Sequence, residues 1–345
     1  MKTPKHNHYL FLKINLFFTA LSIGKISLRK LWNVFVCSWA YTFKTKKSAV
    51  SPFILSLELW NECNAGCLFC RDGKGKIYNI NPELPSLGTI SKGKMPAEMA
   101  KDIIDQVKED VLIAVLYTNG EPLLYKDLAD VVKFSTQRKV MTMISTNGLL
   151  FTEENARALL VAGIDFIKIQ LGGFTQDIYS IQIRYGEVEK LKNNIRMVAN
   201  LKKELNSHAV ILIDWITYQY NQHQIPLIRQ FCKDNSLMLS FRQGNPRGGL
   251  EDKETPLPTS TLPISCDWLW KAMQVNFNGD ILQCCEGVIW SNIKPYTTYA
   301  TKESRVKEIW NGPAAQATRE LMKTKGRGSM SICKQCQRTG VAFKW

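Results

Sequence analysis

The chain has 345 residues, 45% hydrophobic and 22% charged, a balance that excludes a disordered or low-complexity protein. Ten cysteines fall mostly into two groups with metal-ligand spacing, in a chain too long for a small disulfide scaffold, so they point to metal or cluster ligation in a reducing compartment, the cytoplasm. The net charge of +15 is lopsided, with nine Lys or Arg and no acidic residue in residues 1–50; no nucleic-acid module such as a helix-turn-helix accompanies it, so no nucleic-acid partner is expected.

In chain order, the apolar stretch 9–24 is broken by Lys13, and the run after it is eleven residues long. A spanning helix needs about twenty. From 28 to 39, Leu28, Leu31, Trp32, Phe35, Val36 and Trp39 recur at helical spacing, with Arg29, Lys30 and Asn33 on the other side. Such a basic amphipathic helix suits either an anionic membrane surface, making residues 9–47 a peripheral contact at the inner membrane face, or packing against the protein's own body.

From residue 52 onward, strands are expected at 53–59, 111–117, 140–145, 166–171, 210–215 and 237–241. They alternate with helices near 96–109, 125–137, 152–162, 187–204 and 222–235. Alternation of this kind gives right-handed βαβ units and a parallel sheet. Five or six units fall short of the eight in a full barrel, which leaves a partial barrel or an open sheet. Residues 244–263 hold four prolines and three glycines and read as a linker. Beyond it, elements are short and cysteines return at 266, 284, 285, 333 and 336, as in a region held together by a metal or cluster. The expected organisation is a basic amphipathic segment 1–50, an α/β unit 51–245 and a small cysteine-rich α+β unit 246–345.

The first cysteine group is Cys63, Cys67 and Cys70, directly after the first expected strand. Three thiolates spaced C-x3-C-x2-C can hold three corners of a cubane cluster and leave the fourth iron open, which separates a reactive site from a structural one. A zinc site or scattered structural thiols are the alternatives. Together with Phe69 before the last cysteine, this pattern resembles the radical S-adenosylmethionine (radical SAM) superfamily. The resemblance implies a partial (β/α)6 TIM-like barrel, a SAM-binding [4Fe–4S] cluster, S-adenosylmethionine (SAM), and a reducing partner such as flavodoxin or ferredoxin. It extends to the ends of the next strands. Asn119-Gly120-Glu121-Pro122 is similar to the segment that holds the SAM amino group, with Asn119 in place of a glycine. Ser145-Thr146-Asn147-Gly148 is similar to the turn near the SAM ribose and carboxylate. Gln170 and Gly172 stand where relatives often carry Ser and Asp, a departure from the pattern. Arg184, Gly186 and Asn194-Ile195 resemble a further segment in which Arg184 meets the SAM carboxylate or a surface partner.

The second group, Cys266, Cys284, Cys333 and Cys336, supplies four thiolates, enough for a closed [4Fe–4S] site, a zinc ribbon being the alternative. Hairpin strands at 273–277 and 281–283 and a helical stretch 306–322 lie between them. The arrangement resembles the SPASM/Twitch domain appended to many radical SAM enzymes, with one auxiliary cluster. Cys285 either replaces Cys284 as a ligand, lies inert, or donates a hydrogen atom; Cys37 and Cys232 read as structural.

The resulting expectation is a radical SAM oxidoreductase that removes hydrogen from a sugar-like or small polar, even lipid-linked, substrate, with the auxiliary cluster as electron acceptor. Asp267, Asp280 and Glu286 are the candidate bases. Two other readings stand beside it: a peptide-modifying maturase or epimerase using Cys285, and a non-catalytic iron–sulfur or zinc protein.

Overall fold

The computed structural model describes residues 18, 21–67, 70, 76–77, 88–89, 92–244, 265–285, 294–330, 333 and 336. Glu286, Phe69 and most of the proline-rich linker lie outside them. Six parallel strands form the body of the main sheet: β1 (Ile54–Leu57), β4 (Ile113–Val115), β5 (Met141–Thr146), β6 (Phe166–Gln170), β7 (Val210–Thr217) and β8 (Met238–Gln243), adjacent in that order. Between the first two comes a small antiparallel pair, β2 (Lys76–Ile77) and β3 (Gly88–Thr89). Helices α2 (Ala97–Val107), α3 (Leu128–Gln137), α4 (Glu153–Ala162), α5 (Gln176–Gln182), α6 (Val188–Glu204) and α7 (Ile225–Asp234) cover the outside. Helix α1 (Leu28–Thr42) precedes them all. The result is a partial (β/α)6 barrel.

Alternation along the strands builds its two layers. Leu55 and Leu57, Ile144, Ile167, Ile169, Ile211 and Ile213 face the helices in one large core. Ile54, Ile113, Met141, Met143 and Phe166 face the other way, into a second cluster on the barrel's inner side. Further along the same inner side come Ser56, Lys168, Gln170 and Asp214, so the lumen is apolar at the strands' N-terminal ends and polar toward their C-terminal ends.

The C-terminal elements continue this sheet. After α8 (Trp268–Lys271), β9 (Ala272–Val275) runs parallel to β1, with Ile54 opposite Ala272. β10 (Asp280–Leu282) and β11 (Thr297–Thr298) then follow antiparallel, so nine strands share one sheet. The expected helix 306–322 is two, α9 (Val306–Trp310) and α10 (Pro313–Lys325). Pro313 cannot donate to the preceding turn, and it starts a new helix after Asn311-Gly312. The buried Arg319 guanidinium binds these pieces together, donating to the carbonyls of Leu269, Trp310 and Lys46. Burial lowers its pKa to about 10.

Helix α1 sits across the strands' N-terminal ends. Asn33 Nδ2 donates to the carbonyls of Ser51 and Asp110, both at 3.0 Å, and Lys30 Nζ to the carbonyl of Lys139. These acceptors lie in the loops leading into β1, β4 and β5. Just upstream, Lys25 Nζ meets Asp165 Oδ2 at 2.7 Å, both side chains buried. The same carboxylate accepts from Thr142 N at 2.8 Å, and its other oxygen contacts His208 Nε2 at 3.1 Å. Removing one partner of such a pair strands a buried charge. Asp165→Ala should therefore cost about 3–5 kcal/mol in denaturant unfolding; an unchanged midpoint would contradict this role.

Candidate active site

The first cysteine loop is fixed to the barrel's C-terminal end by backbone contacts. Trp60 bridges Lys94, Asn61 Oδ1 accepts from Gly93 N at 2.8 Å, and Cys67 bridges Ile183. Tyr185 N donates to the Ala65 carbonyl at 3.1 Å, and Cys70 N to that of Cys67 at 3.0 Å. Cys63 is exposed, while Cys67 and Cys70 are half-buried. The closest approach is at Gly120, after β4: a Cβ there would stand 1.8 Å from the Trp60 carbonyl oxygen. Only glycine lets the two backbones meet.

The next residue, Glu121, is 1% exposed and caps a short 3-10 turn (Pro122–Leu124) in which Pro122 is buried. Its Oε1 accepts from Thr146 Oγ1 at 2.6 Å and from Leu123 N at 3.1 Å; Oε2 accepts from Asn147 N at 2.8 Å. Glu121 N in turn donates to the Glu62 carbonyl at 2.8 Å. Burial pushes the Glu121 carboxyl up to about 7, against the pull of those three donors. The Asn147 amide donates to Asn64 Oδ1 at 2.8 Å and lies 3.8 Å from Cys63 Sγ. Asn194 Nδ2 holds the same turn through the Gly148 carbonyl at 2.9 Å. Cys63, Gly120, Glu121 and Asn147, picked from separate sequence segments, thus meet in one place. Ser145 is on β5 beside them. Arg184 is exposed and makes no ion pair among the described residues.

Among the buried side-chain donors that lack a hydrogen-bond partner within the described residues are the amides Asn119 Nδ2 and Gln170 Nε2. Both lie at strand C-terminal ends, where they could meet acceptor oxygens of a bound molecule. Deeper in the lumen is a charged group that sequence reasoning missed. The buried Asp214 Oδ2 contacts Lys168 Nζ at 3.0 Å and Arg242 Nε at 2.8 Å, and Ser240 Oγ donates to its Oδ1 at 3.2 Å. Burial opposes ionisation, but the two cations hold this carboxyl below the usual range. The signal was available: Lys168, Asp214 and Arg242 are charges on the inward positions of successive apolar strands. Glu58, fully buried at the end of β1 between outward-facing Leu57 and Leu59, was missed likewise.

The second site is at the opposite end. Cys266, Cys284, Cys333 and Cys336 line one cavity, closed by Trp268, Leu269, Met322 and Met330, with Arg327 at its wall. Burial, followed by the neighbouring Cys266 and Cys336, pushes the Cys333 thiol up to about 12. Among the described residues no three side chains already converge around a single metal ion; a four-iron cluster is wider than an ion and spreads its thiolates over such a cavity. Cys285 packs instead with the inner cluster of Phe53, Ile54, Leu112 and Met141. Asp267 is buried and paired with Lys271 at 3.0 Å. Asp280, in the hairpin, accepts from Thr298 Oγ1 at 2.7 Å and from Asn278 Nδ2 at 2.9 Å.

Residues 57–219 match the family model of the radical SAM superfamily, and residues 266–337 match an iron–sulfur cluster-binding domain. The chain belongs to the radical SAM superfamily and carries this domain at its C-terminal side. It is therefore an enzyme that uses [4Fe–4S] clusters and SAM, which sets aside the non-catalytic reading. A GTP 3′,8-cyclase assigned as probable in Methanocaldococcus jannaschii is 23% identical over 189 residues, 54% of this chain and 57% of that one. This chain thus spans less than two thirds of that relative's length. Among solved structures, BtrN in complex with AdoMet and 2-DOIA superposes with a TM-score of 0.51 at 17% identity, covering 83% of this chain and 93% of BtrN. Streptococcus suis SuiB bound to the precursor peptide SuiA gives 0.59 at 14% identity, covering 87% and 73%. At these identities the likeness is one of fold. The thiol-rich loop beside a buried carboxylate, the two orphan donors and the four-thiol cavity all fit the family's cofactors.

The Gly120 contact can be tested alone. Gly120→Ala forces a methyl against the Trp60 backbone, an overpacking cost of about 1–3 kcal/mol. Its expected signature is a lowered thermal midpoint with less iron retained on reconstitution. A variant with full iron and an unchanged midpoint would show that the loop does not depend on this approach.

Proposed function

We propose that this enzyme oxidises a small polar, sugar-like substrate inside the barrel, with Cys63, Cys67 and Cys70 holding the SAM-binding cluster. Cys266, Cys284, Cys333 and Cys336 would hold one auxiliary cluster, whose chemistry would be that of an acceptor for the second electron. When bound, the first cluster and SAM supply a 5′-deoxyadenosyl radical that takes a substrate hydrogen. A small one-electron donor such as a flavodoxin or ferredoxin supplies the reducing electron, and the setting is the cytoplasm.

The observation that carries the substrate class is the lumen itself. Lys168, Asp214 and Arg242 form a fixed charged group on three adjacent strands, with the Gln170 amide beside it. Two cations against one carboxylate leave a net positive site with donors to spare, suited to hydroxyl or anionic groups. At the mouth, Glu121 receives the SAM ammonium, and Gly120 brings its backbone close. The Asn119 amide and the Asn147 turn, with Ser145, face its oxygens; exposed Arg184 is the remaining candidate for its carboxylate. For the proton, Glu58, buried at the end of β1, joins Asp267 and Asp280 as a candidate. Glu286 stays a candidate from sequence alone.

A second reading, modification of a ribosomally made peptide, draws support from the likeness to SuiB, solved with a precursor peptide. Cys285, which does not line the four-thiol cavity, would then be the candidate hydrogen-donating thiol, reached from the apolar end of the lumen. The two readings part on one assay. Anaerobic enzyme with SAM and dithionite is offered deuterated aminocyclitols and sugars, or deuterated linear peptides. Deuterium in 5′-deoxyadenosine from the small polyols supports the first reading, whereas deuterium only from peptides overturns it.

Glu121 gives a pH signature. Its folded pKa of about 7 lies above the ordinary 4.5, so the folded state binds the extra proton, and stability without SAM should fall as pH rises from about 4.5 to 7. Pairing with the ammonium needs the ionised form, so SAM affinity should rise toward pH 7 and then level, changing up to about tenfold per unit below it. In Glu121→Gln the affinity should be weaker and the pH dependence flat. Calorimetric titration that finds the wild type equally flat would contradict this role.

A further inference from the structure

Helix α1 turns a mixed face of polar and small apolar residues inward and its large rings outward. Facing the barrel are Lys30, Asn33, Cys37 and Ala40, all buried. Facing out are Leu28, 87% exposed, Trp32, 66%, Phe35, 52%, and Trp39, 53%, with Phe43 at 55% just beyond the helix end. A helix held by apolar burial does the opposite. Here the orientation is set by hydrogen bonds that cannot be moved outward without leaving buried carbonyls unpaired. Lys30 donates to the Lys139 carbonyl, Asn33 bridges the carbonyls of Ser51 and Asp110, and Lys25, just upstream, pairs with Asp165. The outer rings touch in series: the centroids of Trp32 and Phe35 are 5.3 Å apart, Phe35 and Trp39 6.1 Å, and Trp39 and Phe43 4.3 Å. From Trp32 to Phe43 they form one continuous aromatic ridge about 17 Å long, at 1.5 Å per residue.

We infer that this ridge docks the enzyme on an anionic lipid surface, with α1 lying in the plane of the interface. Charge selects the occupant. There is no carboxylate before Glu58, and residues 1–50 carry nine Lys or Arg. Lys25 and Lys30 are used inside the fold, but Lys47 is exposed at the ridge's C-terminal end, as is Lys46, which lies 3.9 Å from Glu320 Oε2. Arg29 stays half-exposed while holding Asp110. Lys2, Lys5 and Lys13 precede it in sequence. Trp and Phe flanked by Lys and Arg, in a segment that itself holds no acid, match the boundary between acyl chains and anionic headgroups. Among the described residues no helix is long and apolar enough to cross a membrane, so the contact is peripheral.

The placement fixes an orientation. Because α1 covers the loops leading into the strands, the ridge lies at the end of the barrel away from Glu121 and Asn147. The mouth of the barrel then opens away from the bilayer. The four-cysteine cavity is at the membrane-proximal end, where Ala40 and Tyr41 pack with Leu269, Trp270 and Cys266.

The test uses full-length reconstituted enzyme and pelleting with vesicles of phosphatidylcholine alone, or mixed about two to one with phosphatidylglycerol. The wild type should pellet with the mixed vesicles and release as salt is raised. The triple variant Trp32→Ala, Phe35→Ala, Trp39→Ala, whose side chains are exposed, should bind at least about tenfold more weakly while forming 5′-deoxyadenosine at the wild-type rate. Equal pelleting of variant and wild type, or none by either, overturns the proposal, and equal pelleting with neutral vesicles overturns the anionic assignment. If light scattering finds a wild-type dimer that the triple variant abolishes, without vesicle binding, the ridge is an interface between copies and the proposal fails. None of these readouts depends on the substrate, so they are separable from the function proposed above.

Discussion

The Glu121 carboxylate accepts a hydroxyl proton from Thr146 and backbone protons from Leu123 and Asn147, while its own N–H donates to Glu62. One buried group therefore ties the end of β4, the end of β5 and the cysteine loop into a single unit. A carboxylate taken this far from water is stable as an anion only with strong partners. Its raised pKa says that the protein alone falls short, and a ligand cation would complete the set. The geometry of the mouth, from the Asn147 contact near Cys63 to the glycine on which Trp60 rests, follows from this constraint.

Much of this was legible in the sequence, because it rests on local signals. The six parallel strands follow from short apolar runs alternating with helical periods, and their order follows from the shortness of the connections. The cysteine loop, Gly120-Glu121 and the Asn147 turn are contiguous motifs, so they could be read before their convergence was known. The difference between Cys284, which lines the four-thiol cavity, and Cys285, which does not, shows only in three dimensions, because the chain bends just after β10. The Lys168–Asp214–Arg242 group was hidden for the same reason: its members are 46 and 28 residues apart and meet only through the β6–β7–β8 register. At Gly312-Pro313 the local break outweighs the longer helical period across 306–322, because proline starts a new helix there.

The N-terminal helix shows where pattern and packing part. Its periodicity fixes which residues share a face but not which face turns inward. That choice falls to Lys25, Lys30 and Asn33, whose partners are carbonyls and a carboxylate far along the chain. The same segment joins both halves of the molecule, touching the strand entrances on one side and Trp270 and Arg319 on the other. The single nine-stranded sheet makes a related point. The C-terminal hairpin pairs with β1, so the four-thiol cavity and the mouth lie at opposite ends of one sheet.

That two-ended arrangement is the central claim, and iron stoichiometry with electron paramagnetic resonance of the dithionite-reduced protein tests it most directly. The account predicts about eight irons per chain, falling to about four either when Cys63, Cys67 and Cys70 are replaced by alanine or when Cys266 and Cys284 are. Only the cluster surviving the second replacement should change its signal on adding SAM, and Cys285→Ala should keep all the iron. Four irons in the intact protein, or a SAM response that persists without the first three cysteines, would contradict it.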